Sequence, residues 1–199
     1  MPVQRNAFMI VYIHGFNSSP SSHKSNQLRE RLAALGRENE FACPALPHRP
    51  REAMALLERE VSGVPADKLT LVGSSLGGFY ATYLSEKLGM RSVLVNPAVT
   101  PHKGLRSYLG PQKNLYTGED YILTEQHIEE MRALFVPQLK NLDRYLLITA
   151  TGDEVLDYRD GVARYAGAEQ IIIQGSDHGL SDFAHYLDKI LDYARVSSL

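Results

Sequence analysis

The chain has no tryptophan and a single cysteine, Cys43, and it carries no long apolar run, no block of like charge, no internal repeat and no low-complexity tract. One thiol excludes an internal disulfide and fits a reducing compartment, so a cytoplasmic location is expected. Beside Phe41 and Pro44, Cys43 reads as a small strand residue rather than a reactive thiol. No segment approaches the roughly 20 apolar residues of a membrane span. The polar Met1 to Asn6 precedes a short apolar segment, Ala7 to Ile13, that lacks the length of a secretory signal's hydrophobic region plus cleavage site and reads better as the first strand. The 21 basic and 23 acidic residues are spread along the chain for a net charge of -2, which argues against nucleic acid or a membrane surface as partner. What is present is 199 residues with 44% hydrophobic content, enough for the core of one domain, taken as residues 1–199.

The most informative stretch is Leu69 to Ala81, an apolar run that ends in Gly73-Ser74-Ser75-Leu76-Gly77 and continues with helical patterning to Leu88. This Gly-x-Ser-x-Gly between a buried strand and a helix is the pattern of a nucleophile elbow, in which a sharp turn presents Ser75 at the carboxyl edge of a sheet. Gly73 and Gly77 stand where the strand and helix backbones come too close for a Cβ.

Around it, strands and helices alternate. Phe8 to Ile13, Glu40 to Cys43, Leu69 to Val72, Ser92 to Val95, Tyr145 to Ala150 and Glu169 to Ile173 read as strands. Ser25 to Leu35, Arg51 to Val61, Leu76 to Leu88, Tyr158 to Tyr165 and Leu180 to Val196 read as helices. The pattern predicts an α/β fold of about six mostly parallel strands with helices on both faces and a site at the strands' carboxyl ends. Residues 98–142 break the rhythm, with no clear strand and one amphipathic helix around Thr124 to Phe135. An insertion of this length at the serine edge is expected to be a small helical cap. Its apolar residues, among them Leu105, Tyr108, Leu109, Leu115, Ile128, Met131, Leu134 and Phe135, are expected to cover an acyl chain.

A serine hydroxyl needs a base, and the base an orienting acid. In elbow enzymes acid and then histidine follow the serine in the chain, which leaves His102, His127, His178 and His185 as candidates. His178, in the loop after the last strand, is the favoured base, because His127 and His185 fall within helical segments. Asp153, first after the preceding strand, is the favoured acid. Asp157 is its rival, better placed to cap the helix opening near Tyr158. Asn96, where such enzymes sometimes carry the acid, cannot bear the charge, and Asp177 is too close in sequence to face His178. The oxyanion donors should be the amides of Leu76 and Phe16, the latter in the loop His14 to Pro20. Gly15, Phe16, Asn17 and Ser74 are the candidates to touch substrate, although Asn17 also suits a loop-stabilising role and Ser74 a merely tolerated one.

Taken together, His14-Gly15-Phe16-Asn17-Ser18-Ser19-Pro20, Gly73 to Ala81, Asn96-Pro97-Ala98, Gly152 to Tyr158 and Gly175-Ser176-Asp177-His178 resemble the small bacterial esterases of the YqiA type, within the α/β-hydrolase superfamily. The resemblance spans nearly the whole chain. It implies a reduced hydrolase core, triad roles for Ser75, Asp153 and His178, and hydrolysis of an acyl ester or thioester without metal or organic cofactor. Two alternatives stand beside an esterase. One is an acyl-CoA thioesterase, for which Lys103, Arg106 and Lys113 could meet phosphates. The other is a non-catalytic binding protein on the same fold.

Overall fold

The computed structural model describes residues 8–195. The expectations for Met1 to Asn6, for Ala7 and for Val196 lie outside the described residues. The strands β1 (Met9–Ile13), β2 (Phe41–Ala42), β3 (Leu69–Ser74), β4 (Arg91–Val95), β7 (Tyr145–Ala150) and β8 (Glu169–Ile173) form one six-stranded sheet in the order β2-β1-β3-β4-β7-β8. Every pairing in it is parallel. The strands are continuous apolar runs because both faces are covered. In β1, Met9, Val11 and Ile13 join one core while Ile10 and Tyr12 join the other. Helices α1 (His23–Ala34) and α7 (Leu187–Tyr193) cover one face through Leu28, Leu32 and Ile190. On the other face lie α2 (Pro50–Val61), α3 (Leu76–Leu88) and α6 (Tyr158–Arg164), which pack through Leu57, Phe79, Leu84 and Val162.

Chain connectivity places the site. From β1 the chain goes outward to β2 and then returns to β3 on the other side of β1. The crevice between the ends of β1 and β3 is therefore a topological switch point, where open α/β sheets bind ligands. The loop from His14 and the turn at Ser75 both open there.

Two expectations about secondary structure need correction. The insertion is not strandless: after a short helix α4 (Pro101–Gly104) and a 3-10 turn at Leu105–Tyr108, β5 (Gly110–Lys113) and β6 (Asp120–Leu123) form an antiparallel hairpin ahead of α5 (Glu125–Ala133). The strands Gly-Pro-Gln-Lys and Asp-Tyr-Ile-Leu carry almost no apolar alternation, so no period-2 signal announces them. The turn between them closes the ladder instead. The Asn114 side chain accepts from the amides of Tyr116 and Thr117, and the Gly118 amide donates to the Asn114 carbonyl. The closing segment is likewise not one helix, since Leu180 has φ 50 and a 3-10 turn at Phe183–Tyr186 precedes α7. Among the described residues no helix is long and apolar enough to cross a membrane.

Candidate active site

Ser75 follows β3 directly and precedes α3, with φ 55 and ψ -121, a conformation few non-glycine residues adopt. The surroundings impose it. The Ser75 amide donates to the Val95 carbonyl, and its own carbonyl accepts from the amides of Gly78 and Ala98. A Cβ on Gly77 would overlap the Ile13 carbonyl, and one on Gly73 would overlap the backbone of Gly77. Strand and helix can meet at this angle only with glycine at both positions.

The loops after β7 and β8 bring the other polar groups to the same edge. His178 Nε2 lies 3.1 Å from Ser75 Oγ, and His178 Nδ1 lies 2.9 and 3.0 Å from the two carboxylate oxygens of Asp153. With Nδ1–H donated to the carboxylate, the Nε2 lone pair faces the serine hydroxyl. The Asp153 side chain is 1% exposed. Burial pushes its carboxyl up, but hydrogen bonds from His178 and from the amides of Leu156 and Val155 outweigh that and hold it below the usual carboxylate range. The rival, Asp157, caps α6 by accepting from the Arg159 amide, and pairs with the Arg159 guanidinium. It reaches the cleft wall but not the imidazole. His102 is buried edge-on against Phe135, His127 sits in the capping box of α5, and His185 is exposed in the 3-10 turn.

Asn96 ties this edge together, a role that a reading of charge alone overlooked. Its Oδ1 accepts from the Ala150 amide at 2.9 Å, and its Nδ2 donates to the carbonyls of Asp177 and His178 at 3.1 and 3.0 Å. One side chain therefore joins the ends of β4 and β7 to the histidine loop. Its φ of 41 suits asparagine. The available signal was Asn-Pro directly after a buried strand at the serine edge. Glu154 adds a second tie by accepting from the His178 amide at 2.9 Å.

Across the crevice, His14 is buried. Its Nε2 accepts from the Leu46 amide and its Nδ1 donates to the Gly15 carbonyl, so the ring is a neutral structural group, and burial lowers its pKa below 6.5. Gly15 lies against Ser75, and the amides of Phe16 and Leu76 donate to no protein acceptor among the described residues. Ser74 is buried, and Asn17 has both ends of its side-chain amide engaged, by Tyr121 and by Gln112. Two clefts meet at Ser75. One, of about 440 Å³, runs from Ser75 and His178 along Pro97 to Pro101 to Leu105, Tyr108 and Leu156. The other, of about 420 Å³, opens between Gly15 to Ser18, Lys24, Tyr116 and Asp177 to Gly179. Of the insertion's apolar residues expected over an acyl chain, Leu105 and Tyr108 line the first cleft. Ile128 and Met131 belong to the core, and Leu134 and Phe135 line a separate small cavity with Thr82 and Tyr165. Among the described residues no three His, Cys, Asp or Glu side chains are grouped to hold a metal ion.

A solved structure described as a hydrolase from Agrobacterium vitis S4 superposes with a TM-score of 0.72 at 17% identity, over 97% of this chain and 90% of that one. The esterase domain of a Rhodothermus marinus protein does so with a TM-score of 0.66 at 16% identity, over 98% and 90%. These likenesses identify the α/β-hydrolase fold. In sequence, a UPF0227 protein of Serratia proteamaculans is 32% identical over 155 residues, 75% of this chain and 77% of the relative. Residues 9–195 match the uncharacterised protein family UPF0227, and the chain belongs to that family.

Proposed function

We propose that the protein is a serine hydrolase that cleaves carboxylic esters through an acyl-enzyme. The observation that carries this reading is the hydrogen-bonded series from Asp153 through His178 to a strained Ser75 at the mouth of an apolar cleft. Ser75 Oγ attacks the acyl carbonyl while His178 Nε2 takes its proton, and Asp153 holds the imidazole in the required tautomer and stabilises its charged form. The negative charge that develops on the carbonyl oxygen is met by the amides of Phe16 and Leu76, with α3 beginning at the latter. The imidazolium then returns the proton to the departing alcohol. Water, deprotonated by the same nitrogen, releases the acid from Ser75.

The fold, shared with proteins described as hydrolases and esterases, supports the hydrolase class. A thioester substrate with phosphates at the mouth is less favoured, because Arg106 is paired with Glu125 and Lys113 with Asp120. The test is fluorophosphonate labelling together with hydrolysis of a short-chain activated ester. Ser75→Ala should abolish both, a loss on the order of 10⁶ in turnover by analogy with other serine nucleophiles, while Ser74→Ala keeps most activity. Labelling that survives in Ser75→Ala ends the reading, and a wild-type protein that is never labelled favours a binding role.

A further inference from the structure

We propose that the β5–β6 hairpin is the support of the oxyanion loop, with Tyr121 and Asn17 as positioning residues that hold the Phe16 amide toward Ser75; this rests on the serine-hydrolase reading above. The loop after β1 has little means of fixing itself at this point. Asn17 has φ 51, in the left-handed region. Among the described residues, all the hydrogen bonds of Asn17 and of the Ser18 carbonyl run to the hairpin. Tyr121 Oη donates to Asn17 Oδ1 at 2.7 Å, and Asn17 Nδ2 donates to Gln112 Oε1 at 3.2 Å. The Leu115 amide donates to the Asn17 carbonyl at 3.4 Å, and Asn114 Nδ2 donates to the Ser18 carbonyl at 3.0 Å. Four bonds therefore grip the two residues that follow Phe16, while the Phe16 ring meets Tyr108 of the same insertion edge-on at 6.3 Å.

The grip is anchored at its far end. The Tyr121 ring stacks on His48 with centroids 4.4 Å apart and planes 16° from parallel. His48 is hydrogen-bonded at 2.9 Å to His127, which is buried and takes the Thr124 amide at the start of α5. Position thus passes from the core through α5, His127, His48 and Tyr121 to Asn17. Burial pushes the Tyr121 hydroxyl up to about 12, so it stays a donor throughout the working range. Both polar ends of the Asn17 side chain are occupied in this network, which accounts for the residue without a direct substrate contact. A carbonyl oxygen that becomes an anion needs its donors already in place, and misplacing such a group by about 1 Å costs on the order of 10²-fold in rate.

Two substitutions test the support without disturbing its surroundings. Tyr121→Phe removes one hydroxyl, and Asn17→Gly removes the side-chain bonds while accepting the positive φ. In steady-state hydrolysis of a p-nitrophenyl ester, each should lower kcat by about ten- to hundred-fold with KM little changed, while thermal unfolding shows the fold intact. The double variant should be no worse than Asn17→Gly alone, because both break the same bond. Fluorophosphonate should still label Ser75 in all three, more slowly than in the wild type. Wild-type kcat in both single variants overturns the proposal, as does a rise in KM at constant kcat, which would make Asn17 a substrate ligand. Failure of the wild type to label overturns the serine-hydrolase reading instead, so the two failures are distinguishable.

Discussion

The sheet edge and the insertion at 98–142 serve the same crevice by different means. At the edge, main chain does most of the positioning, with the Asn96 and Glu154 side chains as added ties: the Ser75 backbone is bonded to Val95, Gly78 and Ala98, and the Thr151 and Gly152 amides donate to the carbonyls of Ile173 and Gly175, which lock the acid and histidine loops to each other. In the insertion, position is carried by side chains that meet across large sequence separations, as Tyr121 meets Asn17. On the proposed reading, the groups that break bonds belong to the first region, and the groups that support the oxyanion loop or select the acyl chain belong to the second. Substitutions in the two regions should therefore differ in kind as well as in size.

The largest contrast is between two carboxylates only a few residues apart. Asp153→Asn leaves His178 without the acceptor that fixes its tautomer and should lower kcat by about 10⁴-fold, the cost of the equivalent change in serine proteases. Asp157→Asn keeps an acceptor for the Arg159 amide at the start of α6, removes only an exposed ion pair with Arg159, and should change turnover only a few-fold with little loss of stability. Steady-state rates and thermal unfolding of both variants decide this. The reversed ranking would place the orienting acid on α6 and break the division between main-chain edge and surface.

Most of the edge was legible in the sequence because its requirements are steric and local. The elbow needs glycine at 73 and 77, parallel strands buried on both faces need unbroken apolar runs, and a loop after a strand must open at the carboxyl edge. The hairpin was not legible because an edge ribbon held by an Asn114 turn and by contacts to residues 17 and 18 leaves no periodic mark. The same limit hid Asn96. Its value lies in three hydrogen bonds to other loops, and only its lack of charge was visible in one sequence. Leu134 and Phe135 were misplaced because helical spacing says which residues share a face but not what that face meets.

Asn96→Asp sharpens the comparison from the edge side. The substitution keeps the φ of 41, the shape and the acceptor for the Ala150 amide, but turns a double donor into a carboxylate facing the carbonyls of Asp177 and His178. We expect kcat to fall by about ten- to hundred-fold as the histidine loop moves and stability to drop by about 1–3 kcal/mol. Thermal unfolding and the rate with a short ester would show both, and an unchanged rate would mean that the loop is held by Glu154 and main-chain bonds alone.

On the insertion side, Leu105→Ala and Tyr108→Ala should widen the cleft that begins at Ser75. Since each buried methylene contributes about 0.8 kcal/mol, the ratio of kcat/KM between octanoate and butyrate esters should shift several-fold. Leu134→Ala and Phe135→Ala line a different cavity and should leave that ratio unchanged. A shift in the second pair and none in the first would move acyl selection to the other side of α5.

The smallest effect separates the regions by their response to acid. The sheet edge relies on Asp153, whose carboxyl is held below its ordinary value of 3.8, so its contribution persists above that pH and is lost only as pH falls further. The insertion relies on His127, which burial and then the neighbouring His48 and Arg49 hold below the ordinary 6.5. Below 6.5 the unfolded chain takes up a proton that folded His127 refuses. The unfolded state then binds more protons, and stability falls as pH falls, by at most about 1.4 kcal/mol per pH unit for each such group. His14 behaves in the same way for the same first reason, burial. His127→Gln isolates the insertion's share. Glutamine is a usual partner at the third position of a capping box and can still answer the Thr124 amide, but it does not titrate. Thermal unfolding measured from pH 7 to 5 should show a shallower decline for His127→Gln than for the wild type, with the two curves approaching at the acid end. Parallel curves would mean that His127 takes up its proton in the fold as readily as in the unfolded chain, and a wild-type decline shallower than that of His127→Gln would mean that the anchor of Tyr121 is an imidazolium rather than a neutral ring.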